Sequence, residues 1–137
     1  MRILGLDLGT KTLGLALTDK TGTIASPYKT ITFQNQEEVL KELETIVKEK
    51  DIKTFVLGYP KNMNNTLGFA VERTNTFKTL LENHFNIPII LVDERLSTTE
   101  AEKFLIETDT KRQKRKKIID SYAAAIILDT YLKKERE

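Results

Sequence analysis

The sequence predicts a mixed α/β protein in which one sheet of antiparallel and parallel strands is flanked by helices. Three observations predict this class: short strand-like segments in the first third, a switch to helical periodicity near residue 35, and two short apolar segments that alternate with helical ones. The 137 residues fit a single domain, 1–137, that is long enough to bury a core.

The first third predicts three strands joined by tight turns. Arg2–Leu8 and Thr12–Thr18 are apolar segments separated by Gly9-Thr10-Lys11, and a third strand runs from Thr23 to about Phe33. Pro27 in this third strand is typical of an edge strand or a bulge. Short connections between successive strands predict an antiparallel meander.

The remainder alternates helical and strand patterns. Asn35 is a candidate N-cap for a helix with acidic residues near its start and basic residues near its end. Thr54–Gly58 predicts a short buried strand, and a helix then ends near Asn83. Pro88–Val92 is almost wholly apolar, which predicts a strand covered on both faces and a five-stranded mixed sheet in total.

Two further helices complete the prediction. Ser97-Thr98-Thr99-Glu100 matches a capping box for a helix that ends near Glu107. The final helix is predicted from about Lys117 to Lys134, with small residues after Asp120 that would let it approach the sheet closely.

Composition excludes several kinds of site. The chain contains no cysteine and one histidine, His84, so disulfide scaffolds, thiolate zinc sites and multi-histidine metal sites are excluded. Oxygen ligands would favour Mg²⁺ or Mn²⁺. The sequence shows no signal-peptide pattern and no apolar run near the roughly 18 residues needed to span a membrane, so we expect a cytoplasmic protein.

The positive charge is concentrated in one segment. Residues 111–117 carry six of the 22 basic residues and no acid, which leaves 16 basic against 20 acidic residues elsewhere, a net charge of −4. Such a segment, which we call the basic segment, indicates a polyanionic partner. A solvated loop is the alternative, and we expect the segment to be mobile when free and ordered on binding.

Three acidic residues occupy positions that suit a metal site. Asp7 lies within the first apolar strand, Glu94 follows the last one, and Asp120 lies near the start of the final helix. Converging carboxylates repel one another unless a divalent cation compensates them, which is the arrangement of two-metal phosphodiester hydrolysis. Each acid also has a structural explanation: Asp7 could cap a turn, Glu94 could be an ordinary residue at a strand end, and Asp120 could stabilise the helix dipole.

Several motifs in this order resemble the YqgF/RuvX family of Holliday junction resolvase-like nucleases, which has the ribonuclease H-like fold. The matching segments are Gly5-Leu6-Asp7-Leu8-Gly9-Thr10-Lys11, Val56-Leu57-Gly58-Tyr59-Pro60, Asp93-Glu94-Arg95-Leu96-Ser97-Thr98, and Lys114-Arg115-Lys116-Lys117-Ile118-Ile119-Asp120. The resemblance implies that Asp7 and Asp120 are catalytic metal ligands and that Glu94 is the third, with Asp93 as its competitor. It also implies a role in maturing the precursor of 16S ribosomal RNA, with junction cleavage as an older proposal.

Candidate contacts to the nucleic-acid backbone surround these acids. Thr10 and Lys11 lie in a turn whose N–H groups could approach a phosphate, and Arg95 could contact the backbone or pair with an acid. Lys114, Arg115, Lys116 and Lys117 would neutralise several phosphates.

Other interpretations remain open. The rival function is a nucleic-acid-binding accessory module without catalysis. Asp7-Leu8-Gly9-Thr10-Lys11 also resembles the first phosphate loop of the actin, Hsp70 and sugar-kinase superfamily. Those proteins bind ATP between two domains, so a chain of 137 residues disfavours this function. The oligomeric state stays open between a monomer and a weak dimer.

Overall fold

The computed structural model describes residues 2–59, 68–93 and 112–135, and residues 112–120 are described by their backbone only. The strands and helices follow one another as β1 Arg2–Leu8, β2 Thr12–Thr18, β3 Ala25–Thr32, α1 Gln36–Lys50, β4 Ile52–Tyr59, α2 Gly68–His84, β5 Ile89–Asp93 and α3 Arg112–Glu135. The helix predicted over 97–107 lies outside the described residues.

The five strands form one mixed sheet in the order β3-β2-β1-β4-β5. The first three strands pair antiparallel, whereas β1 with β4 and β4 with β5 pair parallel. This confirms the predicted meander with added parallel strands and makes β1 the central strand. Pro27 lies on β3, at one edge of the sheet and beside a register shift between Leu15 and Ala16, which are the two places where a strand tolerates proline.

Two layers of helices cover the sheet. Leu4, Leu6 and Leu8 of β1 face a core shared with α1 and α2, which includes Val39, Leu43, Phe77 and Leu81. The other face packs against α3 through Ala16, Val56, Ala124, Ile127 and Leu128. Because successive strand residues alternate between faces, Ile3, Gly5 and Asp7 lie on the α3 face.

The predicted cap of α1 is confirmed. The Asn35 side chain accepts a hydrogen bond from the Glu38 backbone N–H at 3.2 Å, and Asn35 has the extended backbone of an N-cap. The Glu38 carboxylate in turn accepts from the Gln34 N–H at 3.1 Å, which satisfies a further donor near the helix start.

One predicted helix start and the predicted burial of one strand were wrong. The final helix begins at Arg112 rather than at Lys117, because Lys, Arg and Gln are good helix formers and no residue from Arg112 onwards breaks the pattern. Strand β5 is not covered on both faces: it is an edge strand in which Leu91 is 41% exposed. No helix in the described ranges is long and apolar enough to cross a membrane.

Candidate functional site

Asp7 lies half-buried on the central strand and on the face that α3 covers. Its neighbours on both adjacent strands are glycines. Gly14 of β2 pairs with Asp7 in register. On the other side Leu6 pairs with Leu57 of β4, so the next residue of β4, Gly58, lies beside Asp7. Both glycines are buried. Neither of these neighbours therefore places a side chain next to Asp7.

The second acid, Asp120, is carried by α3. A Cβ added to Gly5 would lie 2.9 Å from the Ala124 carbonyl oxygen and 3.0 Å from the Leu128 Cβ, so α3 contacts β1 at this glycine. Asp120 precedes Ala124 by four residues and therefore occupies the same face of the helix. Asp7 and Asp120 each lie within about 7 Å of this contact, measured along their own strand and helix.

The position of Asp120 in its helix excludes one of the explanations given above. Asp120 is the ninth residue of α3, in its third turn. Interaction with the helix dipole falls off within the first turn, so the dipole does not explain an acid at this position. The prediction that Asp120 lies near the helix start was wrong for the same reason as the helix boundary.

Strand β5 ends at Asp93, which pairs with Tyr59. Alternation places Asp93 with Leu91, on the face of the sheet opposite to Asp7, whereas Ile90 and Val92 pack on the α3 face. Glu94 and Arg95 lie outside the described residues.

The Gly9-Thr10-Lys11 segment is a hairpin turn between β1 and β2. The Gly9 N–H donates to the Thr12 carbonyl oxygen at 2.7 Å, so this N–H is engaged within the turn and not open to a phosphate. The side chains of Thr10 and Lys11 are exposed. The Lys11 carbonyl oxygen accepts from the Phe33 N–H at 2.9 Å, which ties the turn to the end of β3.

Most of the basic segment forms the start of α3, where residues 112–117 are helical and the first turn contains no acid. The alternative of a loop is therefore wrong for these residues, whereas mobility of the free segment and its ordering on binding stay predictions. Cations at a helix N-terminus oppose the helix dipole, so an anion bound there would be stabilised both by the cations and by the helix.

A complete metal site cannot be assembled from the described side chains, among which no three acidic or histidine residues converge. Asp7 is the only one of the three predicted ligands with a described side chain. Its carboxylate supplies oxygen ligands of the kind that hard cations such as Mg²⁺ prefer.

Two other titratable residues lie away from this site. In the turn between β2 and β3, hydrogen bonds from the Thr21 hydroxyl and from the Thr23 and Ile24 N–H groups lower the pKa of Asp19 to about 2. His84 ends α2, as predicted, and contacts Glu44 of α1.

Sequence reasoning assigned no role in the site to Gly5 or Gly58. A glycine within a strand pattern can indicate close backbone approach, and this signal was present at both positions. That α3 approaches Gly5 follows only from the packing of the helix on the sheet, and that Gly58 lies beside Asp7 follows only from the strand register.

The chain matches known proteins over nearly its whole length. The family model described as RuvX: Holliday junction resolvase matches residues 1–134. A Geobacillus sp. protein and a Bacillus subtilis protein, both provisionally named pre-16S rRNA nuclease, are 50% and 52% identical to this chain over 134 residues. Each of these alignments covers 96% of this chain and 97% of the relative.

Solved structures confirm the fold. Thermus thermophilus RuvC in complex with a Holliday junction has a TM-score of 0.61 at 12% identity, with 99% of this chain and 96% of that chain covered. The fowlpox virus Holliday junction resolvase has a TM-score of 0.56 at 16% identity, with 98% and 99% covered. The family match and the relatives together establish that this chain belongs to the RuvX (YqgF) family of nucleases.

Proposed function

We propose that this protein hydrolyses phosphodiester bonds in the precursor of 16S ribosomal RNA, using divalent metal held by Asp7, Glu94 and Asp120. The observation that carries the proposal is Asp7 itself, a carboxylate on the central strand, between two buried glycines, on the face covered by the helix that bears Asp120. Carboxylates that converge at such a position repel one another unless a divalent cation compensates them.

The strand register favours Glu94 over Asp93 as the third ligand. Asp93 lies on the face opposite to Asp7 and would have to reach around the sheet edge to share a cation with it. We therefore keep Glu94 as the third ligand.

Bound Mg²⁺ or Mn²⁺ would activate water and neutralise charge that develops on the phosphate. The residues of this chain would hold and orient the metal. Asp7 lies on a rigid strand, and Asp120 lies on a helix that contacts that strand at Gly5. Rigid elements fix ligand geometry better than loops do.

The start of α3 supports nucleic acid as the substrate. Five of the six residues 112–117 are basic, and they lie two to three helical turns before Ala124, the residue that contacts β1. Contacts of this kind bind phosphates without reading sequence, so Lys114, Arg115, Lys116 and Lys117 would bring the RNA backbone toward Asp120. Lys11 and Arg95 are proposed as further phosphate contacts, with Thr10 as a polar contact in the same turn.

The names of the more similar relatives favour an RNA substrate over a DNA junction. Those at about 50% identity are provisionally named for pre-16S RNA, whereas the junction-bound structure is related at 12% identity and informs the fold alone. Processing of this precursor would place the protein in the cytoplasm.

The experiment compares cleavage of a pre-16S transcript and of a four-way DNA junction, with and without Mg²⁺. We expect metal-dependent cleavage of the transcript by the wild-type protein and at least a 100-fold lower rate for Asp7→Asn, in the range by which single catalytic groups contribute. Asp129→Asn is the matched control, because it makes the same chemical change on the exposed face of α3, where Asp129 pairs with Lys133 at 3.1 Å.

A second readout does not depend on turnover. Mg²⁺ that binds only the folded protein raises its melting temperature, and Asp7→Asn should abolish this rise while Asp129→Asn preserves it. If Asp7→Asn cleaves the transcript within a few-fold of the wild-type rate, catalysis at Asp7 is refuted. Faster cleavage of the junction than of the transcript would instead support a resolvase.

A further inference from the structure

Strand β5 forms an edge of the sheet that its own sequence does not protect. Its residues, Ile89–Asp93, pair with β4 on one side, and the sheet as described ends there. Four of these five residues are apolar, and the strand contains no proline, no lysine and no register shift. An edge strand without these features presents a regular row of N–H and C=O groups to another extended chain.

The opposite edge of the same sheet is protected. Strand β3 carries Pro27, the exposed Lys29 and a register shift opposite Leu15 and Ala16. Proline and lysine hinder pairing with a further strand, and an irregular register interrupts the row of backbone groups. Of the two edges, β5 is therefore the one that suits an additional strand.

Strand β5 offers a side-chain contact on each of its faces. Leu91 is 41% exposed on the face away from α3. On the α3 face, Ile90 and Val92 border a cavity of about 520 Å³ that extends to Tyr131. This volume falls in the range of ligand-binding pockets, so one long side chain fits. A strand added about 4.8 Å beyond β5 would direct alternate side chains toward Leu91 and toward this cavity.

The lining of this cavity favours a cation. Asp93 and Glu135 contribute two carboxylates, against one ammonium group from the exposed Lys134. Burial and the Glu135 carboxylate raise the pKa of the Tyr131 phenol, and the second of these causes has the sign of a negative local potential. The lining residues of α3 lie in its last two turns, where the helix dipole also favours positive charge. The Tyr59 and Tyr131 rings provide aromatic surface for a guanidinium.

We propose that β5 binds an extended basic segment of another protein, which adds to the sheet as a sixth strand and places an arginine or lysine side chain in the cavity between β5 and α3. Backbone hydrogen bonds to β5 hold the segment, and the pockets for alternate side chains select its sequence. The interaction does not depend on catalysis at Asp7, which lies two strands away on β1.

The test uses three peptides with blocked ends and isotope-labelled protein, and NMR follows the backbone amides. The first peptide is Thr-Thr-Val-Arg-Val-Thr-Thr, in which the arginine and the two valines would lie on opposite faces of the added strand. The second has Glu in place of Arg, and the third is the Arg peptide with N-methyl groups on its three central residues. We expect the Arg peptide to shift the amides of Ile89–Asp93 and Tyr131 most and to bind at least about fivefold more tightly than the Glu peptide. The N-methylated peptide should not bind, because it cannot pair with a strand.

Two variants separate the side-chain contacts. Leu91→Lys should weaken binding of the Arg peptide about fivefold, the upper value for one cross-strand pair, and Glu135→Gln should reduce the preference for Arg over Glu. Ile24→Lys is the matched control for Leu91→Lys, because Ile24 is also an exposed apolar residue (62%) but lies in the β2–β3 turn; it should bind as the wild type does.

Four results would overturn the proposal. These are no binding of the Arg peptide, equal binding of all three peptides, amide shifts that map away from β5, and full affinity in Leu91→Lys. Shifts of the β5 amides that depend on protein concentration without peptide would assign this edge to a second copy of the chain and would overturn it as well.

Discussion

Gly5→Ala tests whether the close contact between β1 and α3 maintains the site. The added Cβ would lie 2.9 Å from the Ala124 carbonyl oxygen, 3.0 Å from the Leu128 Cβ and 3.4 Å from the Leu128 Cδ2. The first neighbour is backbone, and the second is fixed to the helix, so no side-chain rotation relieves the overlap. The helix must move away from the strand.

The magnitude follows from these distances. Carbon atoms pack at about 3.5–4.0 Å, so α3 has to move by about 0.5 Å. Overpacking of this kind typically costs about 1–3 kcal/mol of the free energy of unfolding. At about 2.1 cal/mol/K of unfolding entropy per residue, a chain of this length loses about 3.5 °C in melting temperature for each kcal/mol, so we expect a fall of about 3–10 °C.

Thermal unfolding followed by circular dichroism measures this effect, and Gly68→Ala is the matched control. The same substitution at Gly68, the first residue of α2, meets open space and should leave the melting temperature unchanged or slightly higher. A melting temperature of Gly5→Ala within 1–2 °C of the wild type, a margin of about half the smallest expected cost, would refute the packing argument. So would an equal fall in Gly68→Ala.

The same substitution should affect cleavage beyond its effect on stability. Asp7 and Asp120 are carried by the two elements that Gly5→Ala separates, and a displacement of about 1 Å at a reacting group can cost about 100-fold in rate. Assayed at a temperature where the variant stays folded, we expect a rate loss of at least about tenfold. If Gly5→Ala is less stable but cleaves at the wild-type rate, the contact between β1 and α3 stabilises the fold without affecting catalysis.

Three further outcomes are expected. Asn35→Ala should lower the free energy of unfolding by about 1 kcal/mol through loss of the α1 cap, whereas Asn35→Asp should be nearly neutral, as urea unfolding would show. The pKa of Asp19 is about 2 in the folded protein against 3.8 as the ordinary value, so its stabilising contribution is present above about pH 4 and disappears as the pH falls to about 2. Asp19→Asn should therefore reduce the change of melting temperature with pH over that interval, and an unchanged pH profile would contradict this. Replacing residues 114–117 by Gln should lower the slope of log affinity for RNA against log salt concentration by up to about 3, at about 0.7 per phosphate contact. The control makes the same charge change at four exposed lysines elsewhere and should leave the slope nearly unchanged; these are Lys41, Lys48, Lys53 and Lys133.

Local patterns predicted most of the secondary structure, because turn residues, caps and periodicity act over a few neighbours. Asn35 identified the start of α1 and Gly9-Thr10-Lys11 identified the first hairpin. The start of α3 lies earlier than predicted, because a run of charged residues can be a solvated loop or the exposed turn of a helix and the charges alone do not distinguish the two. The exposure of Leu91 could not be read from its strand, since an apolar run does not say whether the strand is central or at an edge.

The sequence by itself determined which residue types are available for chemistry: no cysteine, one histidine, an acid within an apolar strand and a cluster of cations. From these it predicts a carboxylate site for a metal and a polyanionic partner. Tertiary structure alone decided which groups share a face. Register places Gly14 and Gly58 beside Asp7, helix packing places Ala124 against Gly5, and alternation places Asp93 on the face opposite to Asp7. Pairing and packing join residues that are distant in the chain, and their partners are set by the whole sheet rather than by any segment of it.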